Sequence, residues 1–356
     1  MTSPHITQRD IRGSPQGSDS PSPPAGRGPG GGVSPDVGIA QETREWRRRH
    51  VLDLDDFTPD EIELVLDTTT AMKEVLSRDV PRAPALRGTT IVTLFYESST
   101  RTRSSFELAG KVLGADVINI TASGSSIEKG ESLIDTVRTL RAIGAQVLVM
   151  RHAMSGAPYV AAANCDARVI NAGDGWHAHP TQGLLDLFTL RNHIGDLRGK
   201  RIAIVGDVQH SRVARTDLWG LTKMGAEVVV CGPPTLLPPE LGKPCEGDAL
   251  PAVMVDTNLD RAIEGADAVM TLRLQKERMT GGLLPSLREY SRLYQINDVR
   301  LAKAKPGAFV LHPGPMNEGV EISASVAHGA ASLVEEQVQN GVAVRMALLY
   351  LMRGGK

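Results

Sequence analysis

Short apolar segments rich in β-branched residues alternate with segments of helical pattern along most of this chain. Each apolar segment has the length of a buried strand, and most are separated by roughly ten to fifteen residues, enough for a helix that crosses a sheet. Such alternation predicts parallel sheets covered by helices on both faces. The predicted strands are residues 89–96, 116–120, 145–150, 167–172, 201–206, 226–231, 266–272 and 308–312.

The chain of 356 residues is too long for one typical domain, so the alternation predicts two doubly wound α/β domains. We expect the boundary near residues 173–188, "GDGWHAHPTQGLLDLF". Open parallel sheets bind ligands beyond the carboxyl ends of their strands, and two such sheets side by side leave a cleft there. Before the first strand, Thr58, Pro59 and Glu61 form a capping box that predicts a helix start.

Composition excludes several classes of protein. Residues 12–36 contain 18 Gly, Ser or Pro in 25 positions, so we expect residues 1–40 to be a disordered tail. The net charge of -2 argues against a general nucleic-acid-binding protein. The three cysteines have no metal-like spacing, and neither a membrane span nor a signal peptide is recognisable. These features predict a cytoplasmic protein.

Residues 98–105, "SSTRTRSS", place six hydroxyls and two arginines directly after a predicted buried strand and at the start of a helix. Arginine in a first turn opposes the helix dipole, so Arg101 and Arg103 indicate an anionic ligand. Free helix amides, hydroxyls and guanidinium groups together bind phosphate strongly. A capped helix with a solvated first turn is the alternative, and we favour the phosphate site.

The phosphate compound is expected to be small. No P-loop pattern is present, and residues 202–212 contain one glycine where a dinucleotide fingerprint needs three. Polar residues that could complete the site follow the other predicted strands. They are Arg151, His152, His179, Gln182, Arg212, Arg273, Gln275, Lys276 and the segment 312–315, with Ser125 and Lys129 in a polar loop.

Several segments resemble the carbamoyltransferase family, in order, from about residue 48 to 355. "SSTRTRSSFE" and "HPTQ" are similar to motifs of the whole family, whereas "TLRLQKER" resembles its aspartate branch. The ornithine branch carries a cysteine in the loop that reads "HPGP" here. The resemblance implies transfer of a carbamoyl group from carbamoyl phosphate to L-aspartate, the second step of de novo pyrimidine biosynthesis. It also implies a carbamoyl-phosphate-binding domain at residues 41–182, completed by a C-terminal helix at 333–356, and an aspartate-binding domain at 183–332.

The family reaction needs donors placed in advance rather than a cofactor or a covalent nucleophile. An amine attacks a carbonyl carbon, an oxyanion develops and a phosphate dianion leaves. The resemblance implies that carbamoyl phosphate is bound by Ser99, Thr100, Arg101, Thr102, Ser125, Lys129, Arg151, His179, Gln182, Pro313 and Gly314. The implied catalytic residues are Arg101, Thr102, Lys129, Arg151 and His179, with Thr102 and His179 polarising the carbonyl oxygen.

For aspartate, the resemblance implies binding by Arg212, Arg273, Gln275 and Lys129. Arginine suits a carboxylate because its planar guanidinium can donate two parallel hydrogen bonds. Ser125 and Lys129 would come from a neighbouring subunit of a homotrimer. Pro313 and Pro315 would present backbone carbonyls to the substrate amines.

Other readings of these residues stay open. His177 and His179 could be a metal pair, but no further ligand cluster completes a site, so we expect no metal; His177 is expected to be incidental and His152 structural. A carbamoyltransferase with a different amine acceptor, or a non-catalytic scaffold subunit on the same fold, are the alternatives for function. A dihydroorotase or regulatory-chain partner is also open. Glu318 departs from the arginine that many relatives carry, which bears on the charge of its loop.

Overall fold

The computed structural model describes residues 45–121, 130–242, 250–275 and 282–354. Strands and helices alternate through these residues and form two separate parallel sheets, each flanked by helices. The two doubly wound α/β sheets expected from the sequence are therefore confirmed. The predicted tail, residues 1–40, lies outside the described residues, and the predicted domain boundaries stay a prediction.

The first sheet has four strands in the order β2-β1-β3-β4. Every adjacent pair is parallel, and β1 lies at the centre with all but its first residue buried. Parallel strands buried on both faces read as continuous apolar runs, which is why β1, β3 and β4 could be predicted. Strand β2 lies at the edge and has no buried residue, and its β-branched Val117, Ile118 and Ile120 gave the prediction. The strands are β1 (Thr90–Phe95), β2 (Asp116–Thr121), β3 (Val147–His152) and β4 (Arg168–Asp174).

The second sheet has five parallel strands in the order β7-β6-β5-β8-β9. They are β5 (Arg201–Val205), β6 (Glu227–Cys231), β7 (Met254–Asp256), β8 (Ala268–Thr271) and β9 (Phe309–Leu311). Of these strands, β7 was not predicted. It is a three-residue edge strand whose Met254 and Val255 are exposed, so it has no buried apolar pattern.

The helices begin where the sequence supplies caps. The predicted capping box of α1 is present, since Glu61 N donates to Thr58 Oγ1 and Thr58 N donates to Glu61 Oε2. The helices are α1 (Pro59–Leu76), α2 (Thr100–Val112), α3 (Leu133–Ala142), α4 (Ala157–Asn164), α5 (Pro180–Ile194), α6 (Arg212–Lys223), α7 (Leu259–Ile263), α8 (Leu287–Tyr294), α9 (Asp298–Leu301), α10 (Ala324–Ala327) and α11 (Val334–Gly354). No helix in the described part of the chain is both long and apolar enough to cross a membrane.

Helix α5 lies at the centre of the helical packing. It contacts α1, α6, α11 and β4, and every residue from Pro180 to Leu190 is buried. Burying side chains such as Leu184 and Phe188 contributes about 1.5–3 kcal/mol each. The same helix carries polar residues into this interior, so its polar face needs partners there.

Candidate active site

A cavity of about 970 Å³ lies beyond the carboxyl ends of strands from both sheets. The residues that follow β1 and β8 contribute to its wall, as do α11 and the loop after β9. This is where open α/β sheets bind ligands. The sequence-predicted site residues that line it are Ser99, Thr100, Arg101, Thr102, Arg151, His179, Gln182, Arg212, Arg273, Gln275, Pro313 and Gly314.

The loop between β1 and α2 supplies one wall of the cavity. Ser99 is the N-cap of α2, and its hydroxyl accepts a hydrogen bond from Thr102 N at 3.3 Å. The first turn contains no acidic residue that would neutralise the helix amides. Arg101 is exposed at the cavity, next to Gly314, where an added Cβ would lie 3.3 Å from Arg101 Cζ. The geometry suits a phosphate group between the helix N-terminus and the loop after β9.

Glu97 is a cavity residue that the sequence analysis missed. Its Oε2 lies 3.1 Å from Arg151 Nε and accepts a hydrogen bond of 2.5 Å from Arg212 Nη2. The two arginines also donate to backbone carbonyls, Arg151 to Ala172 and Arg212 to Gly175, each at 3.2 Å. One carboxylate therefore holds guanidinium groups from the first sheet and from α6 at fixed positions.

His179 lies at the start of α5 and is buried. Its backbone N donates to Thr216 Oγ1 at 2.9 Å, and its Nδ1 has no hydrogen-bond partner among the described residues. Burial lowers the pKa of His179 well below its ordinary value, and the charges of Arg151 and Arg212 lower that pKa further. The imidazole is therefore neutral at physiological pH, with one ring N–H available as a donor.

Gln182 extends from the next turn of α5 and belongs to a buried polar group. Its Nε2 donates to both carboxylate oxygens of Asp186, at 3.1 and 3.2 Å. Gln337 of α11 donates to Asp186 Oδ1 at 2.6 Å. Burial raises the pKa of Asp186 to about 7, and its two glutamine donors oppose that rise. Asp217 on α6 is buried nearby, and burial, followed by the charge of Asp186, raises its pKa well above the ordinary value.

The loop after β9 also lines the cavity. His312 N donates to Gln337 Oε1, and Gly314 N donates to His312 Nδ1, both at 2.9 Å. Because Nδ1 accepts, the other ring nitrogen carries the proton and faces Glu321 Oε1 at 3.3 Å. Gly314 has φ 65°, a conformation that favours glycine.

The segment after β8 places Arg273 and Gln275 at the cavity. The backbone N of Gln275 donates to Asp207 Oδ2 at 3.4 Å, and Asp207 Oδ1 lies 2.8 Å from His210 Nδ1. Burial raises the pKa of Asp207, with the His210 contact opposing the rise. These contacts fix the start of the segment while its side chains remain at the cavity wall.

Other predicted residues lie elsewhere. Ser125, Lys129 and Lys276 are outside the described residues. His152 is structural, as expected, since its Nδ1 accepts from Met154 N and its ring packs on Tyr96.

His177 contacts two buried carboxylates rather than the cavity. Its Nδ1 lies 3.2 Å from Asp174 Oδ1, and its Nε2 lies 3.5 Å from Asp53 Oδ2. Among the described residues, no group of three or more His, Cys, Asp or Glu could hold a metal ion. Glu318 Oε1 lies 3.1 Å from Nε2 of His328, the residue that ends α10.

Comparison with known proteins gives matches over almost all of the described chain. A family model described as "Aspartate/ornithine carbamoyltransferase, carbamoyl-P binding domain" matches residues 49–192. A second, described as "Aspartate/ornithine carbamoyltransferase, Asp/Orn binding domain", matches residues 198–352.

Individual relatives agree with these matches. The aspartate carbamoyltransferase catalytic subunit of Roseiflexus sp. (strain RS-1) is 62% identical over 311 residues, which are 87% of this chain and 97% of that protein. The aspartate transcarbamoylase of Trypanosoma cruzi in complex with carbamoyl phosphate and aspartate is 30% identical, with a TM-score of 0.75 over 86% of this chain and 95% of that chain. The ornithine carbamoyltransferase of Pyrococcus furiosus is 26% identical, with a TM-score of 0.76 over 88% of this chain and 99% of that chain.

Proposed function

The chain belongs to the aspartate/ornithine carbamoyltransferase family, and on that premise we propose that it transfers the carbamoyl group of carbamoyl phosphate to the amine of L-aspartate. The products are N-carbamoyl-L-aspartate and phosphate, an early step of pyrimidine biosynthesis. The observation that carries the proposal is the single cavity that joins the amide-rich start of α2 to three arginines from other elements, Arg151, Arg212 and Arg273.

In this assignment the phosphate lies against the start of α2. Ser99, Thr100 and Thr102 supply hydroxyl or amide donors, and Arg101 supplies a charged one. A phosphate dianion is the leaving group, so donors that are already in place stabilise the charge as it develops. The residues assigned to carbamoyl phosphate also include Arg151, Gln182, Pro313 and Gly314, with Ser125 and Lys129.

His179 and Thr102 are assigned to the carbonyl oxygen of the carbamoyl group. A neutral imidazole can donate one hydrogen bond without adding a second positive charge between Arg151 and Arg212. As the amine attacks, negative charge grows on that oxygen, and the bond from His179 strengthens in the transition state. Lys129 and the arginines add positive charge to the same region, and the leaving phosphate accepts the amine proton.

The carboxylates of L-aspartate are assigned to Arg212 and Arg273, with Gln275 and Lys129 completing the subsite. Glu97 supports this assignment because its Oε2 accepts a 2.5 Å hydrogen bond from Arg212 Nη2 and so fixes the guanidinium group. A guanidinium held in place loses less entropy when it binds a carboxylate. Ornithine would bring a cationic side chain toward the same arginines, so repulsion disfavours it.

We extend the proposal to assembly and location. Ser125 and Lys129 act in the cavity of a neighbouring subunit, in a homotrimer that works in the cytoplasm. A dihydroorotase or a regulatory chain remains a candidate partner of that trimer. The disordered tail and the domain limits at residues 41–182 and 183–332 belong to the same proposal.

One assay tests the proposed reaction. The purified full chain is given carbamoyl phosphate with L-aspartate or with L-ornithine, with and without a chelator, and phosphate release and the carbamoylated product are measured. Release that requires L-aspartate, gives N-carbamoyl-L-aspartate and resists the chelator is the expected result. Turnover with ornithine alone would assign the chain to the other acceptor, and no turnover with either would support a scaffold subunit.

A further inference from the structure

A chain of buried polar contacts connects residues of α5, α11 and the loop after β9 that line the cavity. Asp186 is its centre, because it accepts hydrogen bonds from Gln182 of its own helix and from Gln337 of α11. Gln337 in turn accepts from the backbone N of His312 at 2.9 Å. The side chains of all four residues are at most 9% exposed. None of these contacts involves the phosphate-binding loop at the start of α2.

The contact with Asp186 fixes the orientation of the Gln182 side-chain amide. A carboxylate only accepts hydrogen bonds, so the NH₂ end of Gln182 must face Asp186 and the carbonyl oxygen must face away. Gln182 lines the cavity, and none of the described residues donates to its Oε1. The atom offered to a ligand is therefore an acceptor.

Gln337 is fixed by the same reasoning. Its Nε2 donates to Asp186, which turns its Oε1 toward His312 N. That bond holds the backbone just before Pro313, which lines the cavity. Asp186 therefore orients two glutamines in the region assigned to the carbamoyl group. Gln182 presents an acceptor at the cavity, and Gln337 supports the backbone beside Pro313.

We propose that Asp186 is a positioning residue that makes the site selective for a carbamoyl phosphate over an acyl phosphate. It does so by holding the Gln182 amide in the orientation that offers an acceptor to the carbamoyl NH₂, and by holding the Gln337 amide in the orientation that supports the backbone at His312. The inference rests on the proposed function for the identity of the ligand. An acyl phosphate such as acetyl phosphate carries a methyl group where carbamoyl phosphate carries NH₂, so it gains nothing from these acceptors.

Asp186→Asn tests the inference because asparagine has the same shape and one acceptor oxygen instead of two. Both glutamines donate to Oδ1 of Asp186, and Gln182 also donates to Oδ2. In either orientation of the asparagine amide, its NH₂ meets the NH₂ of Gln182, which must rotate or lose a hydrogen bond. The measurements are the dissociation constants of carbamoyl phosphate and acetyl phosphate at pH 8, where the wild-type carboxyl is ionised because its pKa is about 7. We expect carbamoyl phosphate to bind about tenfold or more weakly and acetyl phosphate to change by less than about twofold.

Asp217→Asn is the matched control. Asp217 is also a buried carboxyl group beside α5, but it has no hydrogen-bond partner among the described residues, glutamines included. The ratio of the two dissociation constants is expected to stay at the wild-type value in this variant. Equal weakening of both ligands in Asp186→Asn, or an unchanged ratio, would overturn the inference in favour of a structural role.

A second measurement needs no variant and covers the case in which Asp186→Asn does not fold. Protonated Asp186 carries a donor at one of its two oxygens, as asparagine does at its nitrogen, so the preference of the wild type for carbamoyl phosphate should fall between pH 8 and pH 6. The titratable groups that face Asp186 are the carboxyl group of Asp217 on α6 and Arg345 on α11, and burial holds the pKa of the nearby His179 well below its ordinary value. A constant ratio over this range would contradict the inference.

These binding measurements do not use L-aspartate, so they separate two failures. If the wild type does not carbamoylate aspartate but still prefers carbamoyl over acetyl phosphate, the proposed acceptor is wrong and the role of Asp186 stands. If turnover is normal and the ratio does not respond to Asp186→Asn, the proposed function stands and the role of Asp186 is wrong.

Discussion

Arg101 and Arg103 lie in the same turn of α2, but Arg101 lines the cavity and Arg103 does not. Arg101→Ala removes a charge-assisted contact to the phosphate, so we expect kcat/KM to fall about a hundredfold or more, equivalent to about 3 kcal/mol. Steady-state kinetics measure the effect. Arg103→Ala is the matched control and should change kcat/KM less than about threefold. A loss below tenfold in Arg101→Ala would contradict the phosphate assignment.

Arg273 is expected to determine the amine acceptor. Replacing it with leucine leaves a substrate carboxylate without its partner at the cavity wall, which is costly. The KM for aspartate should rise about a hundredfold while the dissociation constant of carbamoyl phosphate stays near the wild-type value. Similar weakening of both substrates would indicate that Arg273 supports the fold instead.

Asp217 is a buried carboxyl that weakens the fold at neutral pH. Burial raises its pKa well above the ordinary value in the folded state, while the unfolded chain ionises it above about pH 4. Unfolding therefore becomes easier as the pH rises from that value toward the folded pKa, and Asp217→Asn removes this effect. We expect the free energy of unfolding to increase by about 1 kcal/mol or more at pH 8, and by less at pH 5. Urea unfolding at both pH values measures it, and a larger gain at pH 5 would contradict the assignment.

The cavity residues that could be predicted from the sequence are hydrogen-bond donors placed at the ends of recognisable strands. Glu97 could not be predicted, because a carboxylate beside an anion site is unfavourable until the two arginines that it holds are seen around it. Asp186 and Gln337 are 151 positions apart in the chain, and no local pattern links them. The hydrogen bond between them forms because α11 packs against α5.

Among the secondary structure elements, those with strong local signals could be predicted. The buried strands are apolar runs, and α1 starts at its capping box, whereas the exposed edge strand β7 has no such signal. The packing of α11 against α1, α2 and α5 is also beyond local patterns, because it joins segments from opposite ends of the described chain.

Thr58→Ala tests the contribution of one cap to one element. The change removes the acceptor for Glu61 N at the start of α1, and we expect the free energy of unfolding to fall by about 1 kcal/mol with unchanged kcat/KM, since α1 does not line the cavity. Thr70→Ala, at an exposed position within the same helix, is the control and should not destabilise the protein. Equal effects of the two changes would show that the cap contributes nothing.

For the whole molecule, the proposed trimer makes a specific prediction about mixed assemblies. If Lys129 acts in the cavity of a neighbouring chain, a Lys129→Ala chain and a His179→Ala chain can complement each other, because some mixed sites draw both intact residues from different chains. With random mixing at equal ratio, about a quarter of the sites should be restored. Activity is measured after the two inactive variants are denatured and refolded together.

Each variant refolded alone is the control for that experiment and should stay inactive. A mixture as inactive as its parents would place Lys129 in the cavity of its own chain.

Helix α11 also has a consequence for how the protein is made. It packs on α1, α2 and α5, which all precede the second sheet in the chain, yet the ribosome synthesises the entire second sheet before α11. Until α11 emerges, the apolar surface that Leu348, Leu349 and Met352 cover in the finished protein stays open to water. The first half of the nascent chain therefore cannot finish folding when its own synthesis is complete. It exposes an aggregation-prone apolar surface until α11 has been synthesised. A chaperone that shields this surface during translation would act on the half of the molecule made first.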